Sequence, residues 1–109
     1  MDQIRQALIL RLSKKGLETD LIPNFIRNLA NFYIVNPLMS IPQVNQKMHY
    51  VGWAGVEMDY HTFQLALACF EEEGLQRLEN KSVGWFAKRF DPHLLSADAQ
   101  PASAAKVVL

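Results

Sequence analysis

The sequence predicts an all-α domain: a compact bundle of four to five short helices over residues 1–95, followed by a flexible tail over 96–109. Three observations carry this. Apolar residues recur at spacings of three and four in successive segments, which places them on one helical face. Strand-type alternation is confined to Val56 and Met58, too short a span for a strand. Gly, Pro and Asn stand between the periodic segments, where helices stop.

In the first segment, Ile4, Ala7, Leu8 and Leu12 share a face. Asp2 and the pair Lys14, Lys15 complement the helix dipole at its two ends, and Gly16 supplies the left-handed terminator. Ile9 and Leu10 widen the stripe, so this helix packs on two sides or offers a flank to a partner. The second helix has the clearest pattern: Leu21, Ile22, Phe25, Ile26, Leu29, Ala30 and Tyr33 follow the 3.6 period. Thr19 or Asp20 is its expected cap, Pro23 fits its first turn, and Asn36-Pro37 ends it.

Ser40 reads as the cap of a third helix, with Pro42 just inside. Ile41, Val44, Met48 and Val51 form its buried seam, and Gly52 closes it. Trp53, between Gly52 and Gly55, is expected to anchor the following turn on the core. Asp59 caps a fourth helix that buries Phe63, Ala66, Leu67 and Phe70. Glu71, Glu72 and Glu73 oppose its dipole. A continuation through Gly74 to about Asn80, with a Glu73–Arg77 pair, would account for them. Ser82 starts a shorter helix through Phe90, with Val83, Phe86 and Phe90 on one face and Trp85 beside them. The expected core is Leu8, Leu12, Ile22, Phe25, Ile26, Leu29, Tyr33, Val44, Met48, Val51, Trp53, Phe63, Leu67 and Phe70.

Composition narrows the function classes. The chain has 109 residues, one domain by length, and is 50% hydrophobic, which excludes disorder throughout. No apolar run approaches the roughly 18 residues of a membrane span. The first eleven residues lack the small-residue cleavage site of a secretory signal. One cysteine, Cys69, makes no internal disulfide; with the preceding point it favours a cytoplasmic location. Eleven bases balance eleven acids, unlike a chain built to neutralise phosphates. The balance is uneven along the chain: +3 over residues 1–50, −5 over 51–79 and +2 over 80–109. Either the acidic end of the fourth helix packs near the bases, or the molecule is dipolar and orients on a charged partner.

Three groups of residues carry candidate functions. Trp85, Phe86, Arg89 and Phe90, flanked by Lys81 and Lys88, combine the aromatic and arginine residues of interface hot spots. They point to a non-enzymatic protein-interaction module, regulatory or self-associating, that uses this segment and the flank of the first helix. The competing reading is that the segment folds back and closes the bundle.

Gln43, Asn45, Gln46 and Lys47, in front of Val44, Met48 and Val51, loosely resemble the recognition helix of helix-turn-helix regulators. The resemblance spans about twenty residues and implies nucleic-acid binding, because amides read adenine edges and lysine reads guanine. The long Asn31–Ser40 connection and the single firm cation place this reading second.

Glu57, Asp59 and His61, with His49 twelve residues before, are competent metal or acid–base residues, but without a paired ligand motif. Cys69, in the apolar run Leu65–Phe70, reads as a buried, inert thiol. His93 has no identifiable partner. The expectation is therefore a binding protein rather than an enzyme, with no catalytic residue, metal, cofactor or small-molecule substrate indicated.

Overall fold

A computed structural model of the protein describes residues 2–91. Among the described residues there are six helices and no strand: α1 (Asp2–Lys14), α2 (Ile22–Val35), α3 (Ile41–Tyr50), α4 (Tyr60–Glu73), α5 (Leu75–Leu78) and α6 (Val83–Phe90). The all-α class expected from periodicity is what they form. The expected domain end at residue 95, the tail over 96–109 and His93 lie outside the described residues. Among those described, no helix is long and apolar enough to cross a membrane.

Helix α2 is central. It packs on α6 most extensively and also carries α3 and α5. Its buried stripe is Ile22, Phe25, Ile26, Leu29 and Ala30. Helices α1 and α4 form the other main pair. Arg5 meets Glu73, while Arg11 and Lys15 meet Asp59, so the two run antiparallel. Phe25, Phe70, Phe86 and Phe90 are the largest fully buried side chains. Each such burial is worth about 1.5–3 kcal/mol relative to exposure.

The helix ends follow from local chemistry. Gly16 takes φ +100° just after α1, a conformation that costs glycine little. The Ser40 hydroxyl accepts from the Gln43 backbone N–H, and the Gln43 side chain accepts from the Ser40 N–H, closing a reciprocal capping box. Asp59 and Ser82 cap α4 and α6 by accepting from the N–H groups of Thr62 and Trp85.

Several expectations are corrected. Thr19 and Asp20 do not cap α2; they form a 3-10 turn with Leu21, whose side chain cannot cap. Helix α4 does not continue to Asn80. Gly74 adopts φ +80° and breaks the axis, leaving α5 as a single separate turn. Glu73 pairs with Arg5 and Arg89 across the bundle, where the continuous helix had called for Arg77. Val51 is not core but 42% exposed, because α3 ends at Tyr50. Trp53 packs there in its place: its backbone N–H donates to Met48 O at 2.8 Å and its ring meets Phe25 edge-on at 5.3 Å. Tyr33, Trp53 and Leu67 are half-buried against the core. Ile9, Leu17, Met39, Val56, Met58, Ala66, Cys69, Leu78, Phe86 and Phe90 join it fully.

Candidate functional site

The charge segregation along the chain resolves inside the bundle. Glu73 Oε2 lies 3.2 Å from both Arg5 Nη1 and Arg89 Nη1, and Arg5 also approaches Glu72 at 3.6 Å. The acidic end of α4 therefore faces bases from the first helix and the C-terminal segment. These groups tie α1, α4 and α6 together; Arg5 and Glu73 are largely enclosed, while Arg89 reaches Glu73 from the solvent side. Cys69 lies in the same neighbourhood. Burial pushes its thiol up to about 12; the negative field of Glu72 adds to this and Arg5 opposes it. A thiol so placed is not a nucleophile at neutral pH.

The Trp85–Phe90 segment folds back onto the bundle. Phe86 and Phe90 are each 1% exposed and stack on one another at 5.9 Å. In this fold neither reaches a partner. Trp85 is half-buried, with Lys81 at 4.8 Å and Arg89 at 5.2 Å over its ring. The solvent side of α6 presents the exposed Val83 and Lys88 beside the half-buried Trp85 and Arg89, the last held to Glu73.

The acid–base candidates do not converge. Among the described residues no group of three His, Cys, Asp or Glu could hold a metal. Asp59 caps α4 and is ion-paired to Arg11 at 3.0 Å and Lys15 at 3.7 Å. The Thr62 hydroxyl and backbone N–H donate to its carboxylate. Together with Arg11 and Lys15 they hold it far below the usual carboxylate range, against an opposing desolvation. Glu57 and His61 are exposed, and His49 is exposed on α3.

Of the four residues of the α3 reading, two are occupied by the chain itself. Gln43 completes the capping box. Asn45 receives the Met58 N–H at 2.7 Å and donates to the Met58 carbonyl at 3.2 Å, pinning the α3–α4 connection. Gln46 and Lys47 are exposed. Because α2 runs to Val35, the connection to α3 is shorter than the sequence indicated, only Asn36 to Ser40.

That connection builds the one surface feature that sequence reasoning missed. Pro37 forces Asn36 out of helical geometry. The Asn36 side chain then accepts from the Leu38 N–H at 3.2 Å, and its carbonyl from the Met39 N–H at 3.1 Å. This side-chain turn buries Met39 and throws Leu38 outward, 92% exposed, beside Val35 at 84%. An open cleft of about 450 Å³ lies alongside, lined by Phe32, Val35, Asn36, Met39, Gln43, Gln46 and Lys47. A second hollow of about 540 Å³, lined by Gln46, Lys47, His49 and Tyr50, flanks the same helix. Tyr50 is 88% exposed. The signal in the sequence was Val35-Asn36-Pro37-Leu38, two aliphatics around a turn that no helical face can bury. The first cleft combines an apolar floor, amides and one cation, and its lining holds no nucleophile or acid–base pair. Comparison with protein-family models, with curated proteins and with solved structures returns no match for this chain.

Proposed function

We propose that the protein is a small non-enzymatic interaction module that binds a protein partner along the cleft between α2 and α3. One observation carries the reading. Val35 stands almost fully in solvent on the lining of a cleft that it shares with the partly buried Phe32 and the buried Met39, and the exposed Leu38 lies in the turn between the lining residues Asn36 and Met39. Scattered exposed aliphatics need no explanation, but a contiguous set beside a concavity is what partner sites are made of. The earlier candidates Phe86 and Phe90 support the fold instead, so the partner surface moves from α6 to the α2–α3 face. Nucleic-acid binding through α3 has less support, because Gln43 and Asn45 are occupied and Lys47 alone supplies too little charge for phosphate contacts.

The test is site-specific photo-crosslinking of the full chain in its native cells. A photoreactive residue replaces Leu38 in one version and the exposed Lys14 in another. A discrete protein adduct is expected at position 38, absent at 14, and lost when Val35→Ser is added. Adducts to nucleic acid, or equal behaviour at the two positions, would refute the reading.

A further inference from the structure

We draw no further inference here: the strongest candidate, the side-chain cluster of Arg5, Cys69, Glu72, Glu73 and Arg89 where α1, α4 and α6 meet, carries nothing, because its charged groups pair with one another to hold the bundle, its lone thiol is buried, and no observation among the described residues points to a ligand there.

Discussion

Phe86→Ala separates the two roles that the α6 aromatics could have. Phe86 is 1% exposed, stacks on Phe90 at 5.9 Å and receives the edge of Trp85 at 4.9 Å. It sits where α6 covers α2, the most extensive helix pair of the bundle. Truncating a buried phenylalanine costs about 3–5 kcal/mol, through lost transfer energy and the cavity left behind. Domains of this size have a total stability of about 5–15 kcal/mol. Each kcal/mol moves the midpoint of thermal unfolding by about 4–8 °C, so a fall of at least about 12 °C is expected. Trp85→Ala is the internal control: its ring is half-buried and should cost about half as much. Far-UV circular dichroism during heating and urea titration reads both. A Phe86→Ala variant within about 1 kcal/mol of the parent would show that the side chain is not core. It would return the segment to the surface.

Three further outcomes follow from the polar groups. Asn45→Ala should cost about 1–3 kcal/mol by leaving the Met58 N–H without its acceptor; urea unfolding gives the value, and faster hydrogen exchange at Met58 gives the location. Cys69 should resist a thiol reagent at pH 8 in the native protein and react promptly in urea, since burial raises its thiol to about 12; fast native labelling would contradict its burial. Asp59 titrates in the folded protein below its unfolded value of about 3.9. Its contribution is therefore present above about pH 4 and is lost as acid protonates it. Asp59→Asn keeps a capping side chain and should flatten the fall in urea midpoint between about pH 4 and 2, whereas an unchanged acid slope would assign that fall to other carboxylates.

Helix positions were legible where one physical cause set them. The stripe of α2, the Ser40, Asp59 and Ser82 caps and the Gly16 terminus follow from spacing and residue type alone. What was hidden depended on contacts distant in sequence. Glu73 looked like part of a longer helix because its i,i+4 neighbour is a base, yet its partners Arg5 and Arg89 come from the first and last helices. Met58 and Val56 looked like stray alternation; both are buried in a connection held by Asn45, thirteen residues before Met58. The α6 aromatics looked available because a sequence shows their shared face but not what covers it, which is α2. The cleft was overlooked for the opposite reason. Leu38 has no periodic position, and only the Asn36 side-chain turn reveals that it points away from the protein.

The way the chain uses its polar residues bears on where binding is to be sought. Several polar groups that the sequence offered as chemistry serve the fold. Asp59 fixes the start of α4 and holds Arg11 and Lys15, Asn45 fixes a connection, and Gln43 closes a cap. A group bound in this way cannot change partners without losing the structure it holds. The exposed residues around the two hollows include Gln46, Lys47 and Tyr50 on α3, with Val35 on α2 and Leu38 in the adjoining turn. Its backing is rigid on both sides, because α3 is capped at its start and tied to Met58 near its middle, while Asn36 locks the turn. A preformed wall loses little order on binding, which is the main cost a small contact area must offset. Aliphatic exposure at Val35 and Leu38 contributes nothing to folding, and the turn that produces it depends on Asn36 and Pro37 rather than on leucine. Under the proposed function, Val35 and Leu38 are the apolar residues that an arriving partner would cover.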